Sequence, residues 1–431
     1  MSDVVHLQGR TGQRYALGPE PLARGGQGSV WPGTREQDGL GVAIKVALPS
    51  PEAFKALHAE AELLHRLRDR DVPGIAEYLD EVVWDDCPAL VMPRYPLHSD
   101  AFVARVVNAA GPRALPLVLR FAAQIAGHLG QLHKVEVSLE GGPGRLVHRD
   151  VKPENILVDA EGGVRLADLG GTVVVRPEEP VRRAIFGSPL WAPYDQILPG
   201  VAEANPTWDT YALSVVVFWW LTGTRPVYQA DPSPMLTPIG REIWGELTEI
   251  AESLAAGDVL RVREAHRRLD VARGRHRDVD VVDVKNRGAI QEADVHAITA
   301  GVLRMAGRDV YGGHAIDNAI EALAALLSRG LSPLSHPSPP NRFWDSHELA
   351  KKLQGIATAL DRARQEREAK RGLVDRVTRL EGTARPPTAI EIEDAYMPPP
   401  KRPSAFWGIL FGLIVCALLA APLLYALATR S

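Results

Sequence analysis

The sequence predicts an α+β chain: a β-rich N-terminal part with one helix, a helical part behind it, a C-terminal helical extension and a single transmembrane helix. Three observations carry this. Up to about residue 90 the apolar residues fall into short, glycine-punctuated segments around one helix-spaced stretch. Residues 115–133 and 208–223 are long and largely apolar, suited to buried helices. Residues 406–428 carry no charge at all, and at about 1.5 Å per residue they are long enough to cross a hydrocarbon layer of about 30 Å.

Bulk properties narrow the function classes. A chain of 431 residues can bury a large core, with two to three domains expected. With 49 basic and 53 acidic residues the net charge is -4, so no field-driven affinity for nucleic acid follows and none is expected as a partner. Two cysteines, Cys87 and Cys416, lie far apart in unlike surroundings and suggest neither a disulfide framework nor a zinc site. Residues 1–12 are mixed and polar, without the apolar run of a secretory signal.

In chain order, the first chemistry-bearing stretch is Leu22-Ala23-Arg24-Gly25-Gly26-Gln27-Gly28-Ser29-Val30. Glycines there let backbone amides approach phosphate oxygens unobstructed, although most glycine clusters are simply turns. Val42-Ala43-Ile44-Lys45 is an apolar strand ending in a lysine, which either meets an anion or reaches solvent. Leu57, Ala61, Leu64 and Leu67 share one helical face, with Glu60 and Glu62 beside it. Residues 88–95 read as a strand running into a proline-marked turn, and residues 140–144 (Glu-Gly-Gly-Pro-Gly) as a flexible surface insertion. The densest chemistry follows. Asp150, Lys152 and Asn155 place an acceptor, a cation and a carbonyl oxygen within six residues, on a loop entering the β-prone Ile156-Leu157-Val158. That set suits the steering of a hydroxyl onto a phosphate.

Together these stretches resemble the protein kinase family. His148-Arg149-Asp150 with Lys152 and Asn155 matches its catalytic loop HRDxKxxN at every defining position, and Asp168-Leu169-Gly170 is similar to its DFG, leucine replacing phenylalanine. Residues 22–30 resemble its glycine-rich loop, with Ala23 where the first glycine is expected, and residues 42–45 its strand lysine. The resemblance covers about residues 14–272 and implies a two-lobe protein kinase fold, ATP as phosphoryl donor and Mg2+ as cofactor. It implies that Asp150 and Lys152 are catalytic and that Asn155 and Asp168 hold the metal. ATP would meet Leu22, Ala23, Gly25, Gly28, Val30, Ala43, Lys45, Met92, Tyr95 and Leu157. Glu60 would hold Lys45, with Glu62 as the fallback. Met92 takes the gatekeeper place, and Leu64 and Leu169 would pack near His148. Lys152 implies protein substrates bearing Ser or Thr hydroxyls, and Ser188 is expected to bond both Asp150 and Lys152.

Other positions depart from the family. Tyr194 replaces a glutamate that normally pairs with a late arginine, for which Arg261 is the candidate. Between Asp168 and Gly187 the only hydroxyl is Thr172, so Glu178 or Glu179 is expected to meet Arg149 in place of a phosphate. Ala23 and Tyr194 favour the alternative of a catalytically weak scaffold. Asp209, opening the apolar stretch 208–223, would grip catalytic-loop amides.

Beyond residue 272, the stretches 289–306 and 314–328 read as helices in a segment bounded at 273–340. Leu353, Ile356, Leu360 and Ala363 form a short seam within 341–381, compatible with a coiled coil or with one amphipathic helix packed on the preceding helix pair. Residues 382–405 are a proline-rich linker. Phe406, Trp407 and Tyr425 suit interfacial belts, and Lys401 and Arg402 mark the cytosolic side. The expectation is a tail-anchored, single-pass cell-membrane protein with a cytoplasmic N-terminal domain and the bilayer as a partner. Gly408 and Gly412 form a GxxxG pair suggesting a homodimer.

Overall fold

Alternation along one strand sorts the small lobe into an outer core and an inner wall. In a computed structural model, described for residues 5–25, 28–139, 142–176, 204–227, 290–332 and 345–381, with isolated positions at 188–196 and 240–271 and at 342–343, β5 (Gly41–Ala47) buries Val42, Ile44 and Val46 on one face. They meet Leu7, Tyr15, Leu17, Val82, Ala89 and Val91. With a period of two, Ala43 and Lys45 face the other way. Six strands are ordered β1 (Val5–Gln8), β2 (Arg14–Leu17), β4 (Gly28–Arg35), β5, β7 (Cys87–Pro93) and β6 (Asp80–Trp84), with β3 (Ala23–Gly25) on β4. All pair antiparallel, and the register sets Val30 and Leu90 on either side of Lys45.

Under the inner face lies α1 (Pro51–Asp69). Ser50 accepts a hydrogen bond from the amide of Ala53 at 3.1 Å and Pro51 opens the first turn, so the helix starts before its first apolar repeat. Leu57, Glu60, Ala61, Leu64 and Leu67 are buried along one stripe. Glu60 is thereby carried inward while Glu62 points out to pair with Arg66 at 2.5 Å.

The large lobe is built on α3 (Ala114–Leu132), preceded by α2 (Ser99–Ala110), and on α4 (Thr207–Thr222). Fourteen of the 16 residues of α4 are buried, so its all-round apolarity is satisfied by protein. Its end is set by Gly223 at φ +75°. The helices α5 (Glu292–Met305), α6 (Arg308–Tyr311), α7 (Gly313–Gly330) and α8 (Ser346–Glu381) complete the lobe. Ile298, Val302, Leu323, Leu327, Leu349 and Leu353 join Leu115, Leu119, Val216 and Phe218 in one core. Of the two arrangements open to the seam near Leu353, the structure has one amphipathic helix: Leu349, Leu353, Ala357 and Leu360 are buried, α8 lies along α3, and its surface beyond Asp361 is largely exposed.

Of the glycine-rich stretch 140–144, expected to project as a flexible insertion, residues 142–144 belong to a paired strand instead. β9 (Glu136–Leu139) pairs with β10 (Gly142–Val147), which pairs in turn with β13 (Val173–Val175). The flanking Val137, Leu146 and Val147 are strand formers with a core to enter, and that outweighs the glycines between them. Between β10 and β11 (Ile156–Val158) runs the loop bearing Asp150, Lys152 and Asn155, and β11 pairs with β8 (Leu97–His98) on one edge and on the other with β12 (Val164–Leu166), which leads to Asp168.

Among the described residues no helix is long and apolar enough to cross a membrane. The expected span at 406–428, the linker at 382–405, Glu178, Glu179 and Tyr194 lie outside the described residues. Arg261 is exposed.

Two glycine substitutions separate helix propensity from packing. A Cβ on Gly301 of α5 would fall 2.1 Å from the carbonyl oxygen of Leu221, whereas one on Gly355 of α8 meets nothing within 4 Å. Gly301→Ala is expected to destabilise by about 1–3 kcal/mol through the forced shift of α5 against α4. Gly355→Ala is expected to stabilise by about 0.5–1 kcal/mol. Denaturant unfolding of the two variants beside the parent checks the opposite signs.

Candidate active site

The loop from His148 to Asn155 takes its shape from a buried carboxylate beneath it. Asp209, on the first turn of α4, accepts the amide of His148 on Oδ2 and that of Arg149 on Oδ1, both at 2.8 Å. His133, at the end of α3, places its Nε2 2.8 Å from the same Oδ2. Arg149 adopts φ +71°, a left-handed conformation that a non-glycine residue keeps only when its surroundings impose it. Its amide is held by Asp209 and its carbonyl accepts from Gln196 Nε2 at 2.6 Å. Burial pulls the Arg149 guanidinium down to about 10 against the opposing pull of Asp209 and Asp150.

On this loop Asp150 is the convergence point. Its Oδ2 accepts from Lys152 Nζ at 2.7 Å and from Asn155 Nδ2 at 2.9 Å. Its Oδ1 accepts from the amide and the hydroxyl of Ser188 at 3.0 and 2.9 Å. Lys152 also donates to Ser188 Oγ at 3.0 Å. Burial penalises the ammonium of Lys152, but Asp150 beside it outweighs that and raises its pKa above the ordinary value.

A second cluster joins three elements across the cleft. Lys45 Nζ of β5 lies 2.6 Å from Glu60 Oε2 of α1 and 2.6 Å from Asp168 Oδ1 after β12. Glu60 Oε1 accepts the amide of Leu169 at 3.1 Å, so α1 also fixes the residue after Asp168. Burial raises both carboxyls and one cation serves both. Lys45 prevails at Asp168, which ends below its ordinary value, while Glu60, deeper and repelled by Asp168, ends above its own. The lysine, opposed by burial but facing two carboxylates, is raised.

The residues expected to contact the nucleotide come from several elements of the chain. Leu22, Ala23, Gly25, Gly28 and Val30 come from the β3–β4 hairpin and its approach, Ala43 from β5, Met92 from β7 and Leu157 from β11. Leu22 is exposed and Met92 buried. At Gly28 a Cβ would stand 2.1 Å from the Val46 carbonyl oxygen, so only glycine fits this turn. Tyr95 accepts the amide of Glu77 on its hydroxyl at 3.0 Å.

The donor set fits a hard divalent cation. Asn155 directs its Nδ2 hydrogens to the carbonyl and carboxylate of Asp150, which leaves its amide oxygen as the end available to a metal. Asp168 keeps its side chain 37% exposed. Carboxylate and amide oxygens are the ligands Mg2+ prefers, with water and phosphate oxygens completing its shell.

The residues that reading the sequence missed are His133, Gln196 and Ser346, which bonds His133 Nδ1 at 3.1 Å. None lies in a motif. None carried a local signal either: the capping position before α8 belongs to Asp345, whose Oδ1 accepts the amide of His347 at 2.9 Å, and Ser346 is the first helical residue.

The sign of one pH effect follows from Asp209. Burial would raise its carboxyl, but His133 and the loop amides hold it below the ordinary 3.8. It therefore contributes stability that is whole above that value and lost as pH falls through the lower folded-state pKa. Asp209→Asn turns an acceptor into a donor facing an amide, and is expected to cost about 2–3 kcal/mol at pH 7. The gap should narrow towards pH 3, where denaturant unfolding of both proteins would show the curves converging.

Comparison with known proteins agrees with this geometry. A probable serine/threonine-protein kinase of Dictyostelium discoideum is 28% identical over 222 residues, 51% of this chain and 41% of its own. MAP3K epsilon protein kinase 1 of Brassica napus is 29% identical over 239 residues, 54% of this chain and 17% of its own. Serine/threonine-protein kinase PknA of Mycobacterium tuberculosis is 28% identical over 221 residues, 49% and 48% of the two chains. The chain thus spans less than half the length of each of these relatives. With a match to the protein kinase domain over residues 19–254, more than half of its length, it belongs to the protein kinase family.

Proposed function

We propose that the chain transfers the γ-phosphoryl group of ATP to serine or threonine hydroxyls of proteins. The observation that carries this reading is Asp150, a carboxylate set between Lys152 and Ser188 at the mouth of the cleft. In the reaction the substrate hydroxyl oxygen forms a bond to the γ-phosphorus, its proton passes to Asp150, and the bond to the β–γ bridging oxygen breaks as ADP leaves. Lys152 neutralises charge on the group in transit. Lys45, steadied by Glu60, meets the phosphates, and Leu22, Ala23, Gly25, Gly28, Val30, Ala43, Met92, Tyr95 and Leu157 enclose the nucleotide. Asn155 and Asp168 would hold Mg2+, which when bound supplies positive charge against the phosphate oxygens. The names of the relatives and the lysine at position 152 support Ser and Thr as acceptors.

Radiolabelled ATP offered to the full chain in detergent, with a protein substrate, tests this. Lys45→Ala and Asp168→Ala are each expected to lower transfer at least about 100-fold, with label on serine or threonine in the parent. Equal label in all three proteins would overturn the catalytic reading and leave the scaffold suggested by Ala23 and Tyr194.

The same proposal places the catalytic domain on the cytosolic face of a membrane. Its support is the charge-free run at 406–428 behind Lys401 and Arg402, with aromatic residues near both ends. Small residues at Gly408 and Gly412 allow two such helices to approach closely as a homodimer. Flotation with lipid vesicles is expected for the full chain and not after deletion of 406–428. Changing both glycines to leucine is expected to weaken self-association in the bilayer, and unchanged association would sink the dimer.

A further inference from the structure

A hydrogen-bonded path leaves the catalytic loop and ends on α8, far outside the stretch 19–254 that carries the kinase likeness. The loop amides of His148 and Arg149 rest on Asp209, and Asp209 Oδ2 rests on His133 Nε2. The other ring nitrogen, Nδ1, is 3.1 Å from Oγ of Ser346, the first residue of α8. Ser346 is fully buried, and His133 and Asp209 are buried with it.

Chemistry gives the path a direction. A carboxylate only accepts, so His133 Nε2 carries the proton facing Asp209. In a neutral imidazole Nδ1 is then an acceptor, and the Ser346 hydroxyl is the donor that satisfies it. Without that hydroxyl, a buried ring nitrogen loses its partner, and the tautomer that serves Asp209 is no longer fixed from behind.

The surrounding contacts seat this end of α8 against the same turn of α4. The hydroxyl of Thr210, next to Asp209, donates to the carbonyl of Phe343 at 2.8 Å. The fully buried Arg342 lies over the ring of Tyr211, 4.7 Å from its centre, and donates through Nε to the Ser332 carbonyl at 2.5 Å. Arg329 of α7 bonds both carboxylate oxygens of Glu348, at 2.6 and 3.0 Å, and covers the ring of Phe343. Asp209 is thus engaged on the loop side by His148 and Arg149, while Thr210 and Tyr211 beside it are engaged by Phe343 and Arg342.

We propose that Ser346 is a positioning residue for phosphoryl transfer, acting through His133 and Asp209, so that the seating of α8 sets the geometry of the catalytic loop. This rests on the kinase reading of the site.

The test uses the full chain and four proteins: the parent, Ser346→Ala, Ser346→Thr and His133→Gln, with the Ser346→Ala, His133→Gln double variant to close a cycle. Ser346→Ala is expected to lower kcat about 10- to 100-fold, as displacement of a catalytic group does, with KM for ATP changed less than about twofold. Ser346→Thr, which keeps the hydroxyl, is expected to restore turnover. In the His133→Gln background the alanine is expected to cost nothing more, because the path is already cut. Hydrogen exchange of the peptide containing His148 and Arg149 is expected to quicken about 10-fold in Ser346→Ala. Parent-like turnover in Ser346→Ala, failure of threonine to restore it, or effects that add in the double variant would each overturn the proposal. Should the parent itself transfer no phosphate, it is the kinase reading that fails. The exchange measurement then decides the link between Ser346 and the loop alone, unchanged exchange refuting it.

Discussion

One buried carboxylate organises the catalytic loop. Asp209 sits on α4, the most enclosed helix of the molecule, and both of its oxygens take loop amides. A charge in such surroundings is costly unless well hydrogen-bonded, and here two of the three bonds to it, those from the amides of His148 and Arg149, also fix loop backbone while the third comes from His133. The left-handed turn at Arg149 is affordable only in that setting. The positions of Asp150, Lys152 and Asn155 then follow from chain connectivity, because the loop is anchored at one end by Asp209 and at the other by β11.

The second cluster behaves differently because its members come from separate bodies. Lys45, Glu60 and Asp168 belong to a sheet, a helix and the start of a loop in the other lobe. One cation between two carboxylates leaves an excess negative charge inside the cleft. The arrangement is therefore best matched when further positive charge, such as a metal ion near Asp168, enters with the phosphates. The two clusters differ in reach: the Asp150 group is held within one lobe, while the Lys45 group joins the two.

Contiguous chemistry was the most legible. Residues 148–158 and 164–170 carry their spacing in the sequence, and Glu60 separates from Glu62 once the apolar stripe of α1 is drawn, since only Glu60 lies on it. The two-lobe division was legible through the family resemblance, and the alternation in β5 and the uninterrupted apolarity of α4 agree with it. The hairpin at 136–147 was not, since glycines signal a loop equally when they turn one and when they close one, and the deciding partner, β13, lies some thirty residues downstream. The seam near Leu353 left two arrangements open because the face it buries is supplied by α3, more than two hundred residues earlier. His133 and Ser346 were invisible for that reason too, as their meaning exists only across a separation of 213 positions.

The bonding around Asp150 sets a condition on what can reach it. A carboxylate offers about four lone-pair positions, and here Lys152, Asn155 and the amide and hydroxyl of Ser188 fill four. Under the proposed function, a substrate hydroxyl therefore has to take over a position that one of these donors holds, and the Ser188 hydroxyl is the donor whose displacement leaves the Lys152 and Asn155 bonds in place.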